Sequence, residues 1–204
     1  MATRISTAAA CLCLVFASAG LAEEPKPVKK KGPDHSNKDL NGHDFSNKDL
    51  EGATFEDSDL KKAIFNKAIV KDGVFIGANL TDAVMTGVDL RGADLRRAKM
   101  DNVELNDTDL SGANLEGLDL STCIRVANVK FRGANLRNLK GIGTFREISF
   151  AGADLRGANL TQMNDNGVVK SNFRKAKYDK ATRWPKGFDP EEAGAVLVPD
   201  DKKE

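Results

Sequence analysis

The sequence predicts a repeat fold in which the chain turns a corner every five residues, and three observations predict the repeat. First, every fifth residue from Leu40 to Leu120 is apolar. The centres are Leu40, Phe45, Leu50, Phe55, Leu60, Phe65, Val70, Phe75, Leu80, Met85, Leu90, Leu95, Met100, Leu105, Leu110, Leu115 and Leu120, seventeen in succession. In a chain that is 40% hydrophobic, chance yields such a run in one register on the order of once in several million. Second, small residues recur two positions before the centre, as at Ala53, Ala63, Ala68, Ala78, Ala83, Ala93 and Ala113. Third, Gly, Asn or Asp recur two positions after it, as at Gly42, Asn47, Gly52, Asp57, Asp72, Gly77, Asp82, Gly87, Gly92 and Gly112.

The period excludes the common elements. Five residues advance an α-helix by about 140° beyond a full turn, so no one face collects the apolar set. In a continuous strand an odd spacing alternates faces. A corner every five residues instead points every centre at one axis. Gly, Asn and Asp tolerate the backbone angles of tight turns, and Asx side chains bond nearby backbone groups. Asp or Asn also precedes many centres, including Asp39, Asp44, Asp49, Asp59, Asn79, Asp89, Asp94, Asp109 and Asn114. Each unit reads as small and inward, polar and outward, large and inward, then corner.

The segments Ala78-Asn79-Leu80, Ala93-Asp94-Leu95, Ala113-Asn114-Leu115, Ala134-Asn135-Leu136 and 153–160 (Ala-Asp-Leu-Arg-Gly-Ala-Asn-Leu) resemble the A(D/N)Lxx motif of pentapeptide-repeat proteins. The resemblance covers about residues 36–180. It implies an all-β fold: a right-handed quadrilateral β-helix, a solenoid with four pentapeptides per coil, hence about seven coils for about 28 repeats. It specifies the fold and says little of activity.

Residues 1–22 resemble a bacterial secretory signal: Arg4 as the positive start, an apolar run from Ala8 to Ala19, and Gly20-Leu21-Ala22 as the cleavage site. Cleavage after Ala22 would place the chain in the periplasm or outside the cell; an uncut apolar anchor is the alternative. Cys11 lies too early for a lipoprotein box. Residues 23–35 form a Pro/Lys-rich leader, 36–180 the repeat region, and 181–204 a cap with a charged tail. Trp184 and Phe188, in a Pro/Gly turn, suit a lid over the last coil.

After Leu120 the register slips to Val126, Phe131 and Leu136. It returns after Gly141-Ile142-Gly143 with Phe145, Phe150, Leu155 and Leu160, and shifts again to Met163, Val168, Phe173 and Tyr178. The breaks near Arg125 and Gly141 call for bulges or wider corners. They are either functional loops or decayed repeats. Lys38, His43 and Lys48 stand in the first coil where later repeats carry Ala, and they avoid burial by leaving through the open end. His35 and His43 form only a weak metal pair. Cys123 keeps the small-residue register, as a buried thiol or as the source of an intermolecular disulfide.

No nucleophile–base grouping, phosphate loop or dinucleotide fingerprint is present. No enzyme, cofactor or metal is expected. The whole chain has 31 basic and 30 acidic residues, and loss of Arg4 brings them level. On net charge alone, nucleic acid is not an expected partner. The leading expectation is a non-enzymatic scaffold of the bacterial envelope that binds an unidentified protein, with a homodimer through a solenoid end as one mode. The alternative, carried by the resemblance, is a topoisomerase-binding mimic of DNA, opposed by neutral charge and the export signal. A carbohydrate binder would call for more exposed aromatic residues.

Overall fold

A computed structural model of the protein describes residues 31–143, 146–163 and 171–199. The signal segment 1–22, leader residues 23–30, the repeat centres Phe145 and Val168, and tail residues 200–204 lie outside the described residues. The structure is all-β, yet little of it is extended strand. Parallel bridges one residue long join positions twenty apart: Asp34 to Thr54, Asp39 to Asp59, Asp44 to Ile64 and Asp49 to Ile69, and so on through Asp94 to Asn114. Among the described residues, four two-residue strands accompany them: β1 (Asp119–Leu120), β2 (Gly141–Ile142), β3 (Lys177–Tyr178) and β4 (Val196–Leu197). Strand β1 pairs in parallel with β2, and β3 with β4.

The backbone explains the period. The Phe45 N–H donates upward to Ile64 O (2.7 Å), and the Ile64 N–H donates downward to His43 O (2.9 Å). The residue before each centre thus directs both its polar groups at the coil below, and the centre directs its own N–H at the coil above. Between centres the chain closes a turn, as where the Ala63 N–H donates to Leu60 O (3.0 Å). The third residue of that turn is left-handed (Lys62, φ 55°; Gly92, φ 68°), the geometry of a type II turn. The Asp or Asn before the centre braces the turn: Asp89 Oδ1 accepts the Arg91 N–H at 3.2 Å and Asp44 Oδ1 the Ser46 N–H at 2.8 Å.

Each centre with its flanking residues forms a five-residue wall, the lowest of them centred on Leu40, Phe45, Leu50 and Phe55. Their centres pack inside; Leu60, Phe65, Val70, Phe75, Leu80, Leu90, Leu95, Leu110 and Leu115 are fully buried. Phe45 and Phe65 stack with ring centroids 4.8 Å apart, and Phe55 and Phe75 at 4.9 Å. A second column, Phe131, Phe150 and Phe173, fills the upper interior.

The register breaks fall where the sequence places them. The spacing lengthens from twenty at Glu104 and Ile124 to 21 at Asp109 and Lys130, and to 22 at Asp119 and Gly141. Arg125 (φ 49°) and Asn128 (φ 56°) make two left-handed corners close together, which takes up the added residue. Met163 is buried as expected, but not as a centre. Its N–H donates to Leu160 O (3.0 Å), so it occupies the small-residue position of the next wall.

Candidate interaction surface

Because the interior is occupied by the chain's own side chains, the chemistry is all outside. Depressions on the walls are open. One of about 530 Å³ is lined by Ser46, Asn47, Asn66, Lys67, Val84, Thr86 and Glu104. Among the described residues, no group of three or more His, Cys, Asp or Glu is placed to hold a metal. His35 instead stacks on Phe55 (5.0 Å) and His43 leans on Phe45 (4.4 Å). Lys48 Nζ stands 5.4 Å from the Phe45 ring centre. Lys38, His43 and Lys48 are all exposed, so the first coil covers its aromatic column with cationic and imidazole groups that reach water through the open end.

Cys123 is half-buried, with Sγ 3.4 Å from Met100 O. Burial, reinforced by Asp119 and Asp101, pushes its thiol up to about 12, so almost no thiolate exists at neutral pH. At the other end Trp184 meets Phe173 edge-on (5.5 Å) and Tyr178 (5.6 Å), and Phe188 lies 5.1 Å from Trp184. Arg183 bridges Asn159, which sets Trp184 above Leu160 in the central register. Val196 and Leu197 of β4 remain exposed at 48% and 49%.

The walls carry ion pairs within and between coils. Lys71 reaches Glu51 on the coil below at 3.5 Å, as the twenty-residue stacking predicts. The corresponding pairing of Arg96 with Glu116 is not made: Arg96 turns to Asp94 on its own coil (2.7 Å), because that carboxylate lies two residues away and offers both oxygens. Glu116 accepts from Asn135 Nδ2 at 3.3 Å instead.

The charge is unevenly distributed, which its overall balance conceals. Residues 32–123 hold 18 acidic and 10 basic side chains, whereas residues 124–186 hold 14 basic and 4 acidic. The asymmetry is sharpest on the wall centred on Leu50. Its bridging row runs Asp49, Ile69, Asp89, Asp109, Lys130, Ser149, Asn172. The parallel row is Glu51, Lys71, Arg91, Ser111, Arg132, Ala151, Arg174, each carbonyl from Lys71 on accepting from the coil below. The asymmetry was visible in the sequence as a difference between halves; a total for the whole chain could not show it.

The pentapeptide-repeat family pattern (Pentapeptide repeats) matches in eight copies over residues 39–66, 65–97 and 89–124. A pentapeptide repeat protein from Nostoc PCC 7120, alr5209, is 32% identical over 61% of this chain and 84% of its own, with a TM-score of 0.30. The chain belongs to the pentapeptide-repeat family. HetL of Nostoc sp. strain PCC 7120, a pentapeptide repeat protein involved in heterocyst differentiation regulation, is 19% identical over 82% of this chain and 87% of its own (TM-score 0.47). QnrB1, a plasmid-mediated fluoroquinolone resistance protein, is 18% identical over 81% of this chain and 94% of its own (TM-score 0.40). Both likenesses concern the fold alone. No curated protein matches the sequence. Among the described residues no helix is long and apolar enough to cross a membrane.

Proposed function

We propose that the protein is a rigid scaffold of the bacterial envelope that binds another protein through the outer walls of its stack. We read the stack as the right-handed quadrilateral β-helix of about seven coils that the family implies. The observation that carries the reading is the division of labour in the regular repeats: centres such as Leu90, Leu95 and Leu110 are fully buried, while the bridging residues form outward ladders. A filled interior leaves presentation of a surface as the available mechanism. The envelope location rests on residues 1–22 and cleavage after Ala22. Cell fractionation with intact-mass measurement tests it, followed by cross-linking of envelope partners. A periplasmic chain beginning at Glu23 supports the reading. A cytoplasmic chain with its first 22 residues intact overturns it.

A second reading, a topoisomerase-binding mimic of DNA, is favoured by the 18 acidic against 10 basic residues of 32–123, an acidic stretch that the neutral total hides. The fold shared with QnrB1 is compatible with it. A gyrase-protection assay decides it: protection from a quinolone supports the mimic, and unaltered inhibition removes it. A dimer joined at an end would use the C-terminal edge, where Val196 and Leu197 are exposed. The N-terminal rung carries Asp34, Asp39, Asp44 and Asp49 at its bridging positions, and like charges on an open edge oppose strand addition.

A further inference from the structure

The wall centred on Leu50 changes sign along its length. Its lower part holds Asp49, Glu51, Asp72, Asp89 and Asp109 against three cations: Lys48, which stands over the Phe45 ring (5.4 Å), and Lys71 and Arg91, which pair within the wall to Glu51 (3.5 Å) and Asp89 (2.5 Å). Its upper part holds Lys130, Arg132, Arg174 and Lys175, all exposed. Of these, Lys130 reaches Asp109 at 3.7 Å. Arg132, Arg174 and Lys175 form no ion pair among the described residues. Between the cations the wall is flat, with Gly133, Ser149, Ala151 and Gly152 carrying little or no side chain. In the lower part Ile69 projects, 46% exposed.

We propose that this wall docks a second copy of the chain, antiparallel, with the acidic part of each copy against the basic part of the other. An antiparallel pair has a two-fold axis, so each contact occurs twice. With the axis near Asp109, the rung of Asp49 and Glu51 faces the rung of Arg174 and Lys175. Asp89 faces Lys130 and Arg132, and the projecting Ile69 meets the flat surface at Ser149, Ala151 and Gly152. An external polyanion would use the basic part and be repelled by the acidic part of the same rigid wall. A second copy uses both.

Neighbouring rungs lie about 4.8 Å apart, so the two poles are separated by roughly 20 Å. That is about twice the Debye length at physiological salt. Each pole therefore acts on what lies against it and is not cancelled by the other. The wall measures about 30 Å by 16 Å, from the rung spacing and five residues of extended chain. Two such walls bury on the order of 1,000 Å², at the lower limit for a specific interface. The dimer is accordingly weak, reversible and sensitive to salt.

Sedimentation equilibrium on the native protein tests this, with two charge-reversed variants. Arg132→Glu/Arg174→Glu/Lys175→Glu makes both poles acidic, and Glu51→Lys/Asp72→Lys makes both basic. Unchanged melting establishes that each variant folds; Lys at position 72 has precedent in the left-handed corners at Lys62 and Lys67. We expect the native protein to dimerise at about 50 mM salt, with Kd rising at least about tenfold by about 500 mM. We expect each variant alone to be monomeric and their equimolar mixture to associate, because both poles of that pair are again opposite. A native protein that stays monomeric at about 0.5 mM and low salt overturns the proposal, as does a mixture that fails to associate. Heparin retention by a monomer, lost in Arg132→Glu/Arg174→Glu/Lys175→Glu, would also overturn it and assign the wall to an external polyanion. A dimer indifferent to salt and to both reversals would overturn it in favour of the exposed β4 edge.

Discussion

Phe65 shows how one side chain serves several coils. It stacks on Phe45 at 4.8 Å and meets Phe55 and Phe75 edge-on at 5.7 and 5.9 Å. Truncation leaves a cavity that the rungs above and below are too constrained to close. Phe65→Ala should cost about 3–5 kcal/mol, measured by urea denaturation. Leu90 and Leu95 are fully buried, and Leu90→Lys or Leu95→Lys places an unpaired charge among aliphatic neighbours. The expected loss is about 3–5 kcal/mol, seen as the disappearance of cooperative unfolding. A soluble variant with unchanged melting would refute the inward register. Asp101, by contrast, is exposed, and its carboxylate accepts from Thr122 Oγ1 at 3.2 Å. Asp101→Lys should change stability by no more than about 0.5 kcal/mol in the same measurement.

At the scale of the repeat, Asp44, Asp59 and Asp89, each just before a centre, couple turn geometry to pH. Hydrogen bonds from the Arg91 side chain, opposed by partial burial and aided by the Arg91 N–H, hold Asp89 below the ordinary carboxylate value. Asp44 is lowered by the Ser46 hydroxyl and backbone, and Asp59 chiefly by Lys61. A carboxyl whose folded pKa is depressed contributes stability above its unfolded pKa. That contribution is lost as pH falls through the folded value. The melting temperature should therefore be level above about pH 5 and fall below about pH 4. Asp89→Asn should lower the plateau slightly and flatten the acid limb, read from thermal melts at several pH values. The repeats also show why the turn pattern is only a preference. Lys62, Lys67 and Arg97 occupy left-handed corners (φ 55–62°) that Gly, Asn or Asp would adopt with less strain. The cross-coil hydrogen bonds on either side hold them there.

The described residues form a ladder of bridges in which each rung bonds mainly to the rungs next to it, so stability accumulates rung by rung. Interruption should be felt asymmetrically. The lower coils are regular, whereas the upper ones contain the corners near Arg125 and Gly141. Hydrogen exchange should show stronger protection for amides such as Leu80 and Leu90 than for Asn128, whose bond to Arg146 O spans 3.1 Å within the irregular region. Equal protection across the two halves would contradict that division. At this scale too, charge must be described by position: a chain of net charge +1 with an acidic lower part and a basic upper part has strong local fields that salt screens only partly.

The sequence by itself determined the repeat. Its five-residue period, the small inward residues and the corner formers are local consequences of backbone sterics and burial, so the inward set was legible from Leu40 to Leu120. The stacking of Phe45 on Phe65 and of Glu51 under Lys71 followed from the twenty-residue coil that the family resemblance supplied. The breaks near Arg125 and Gly141 were legible as slips in the same pattern. Tertiary structure decided what depends on competition between neighbours. Arg96 had carboxylates at Asp94 and Glu116 within its range, and only the geometry of the coil selected Asp94. Met163 looked like a centre by its apolarity, but the preceding turn placed it in a small-residue position. Which charges share one wall also required the three-dimensional rungs, because Glu51 and Arg174 are 123 positions apart in the chain and are brought onto one surface only by stacking.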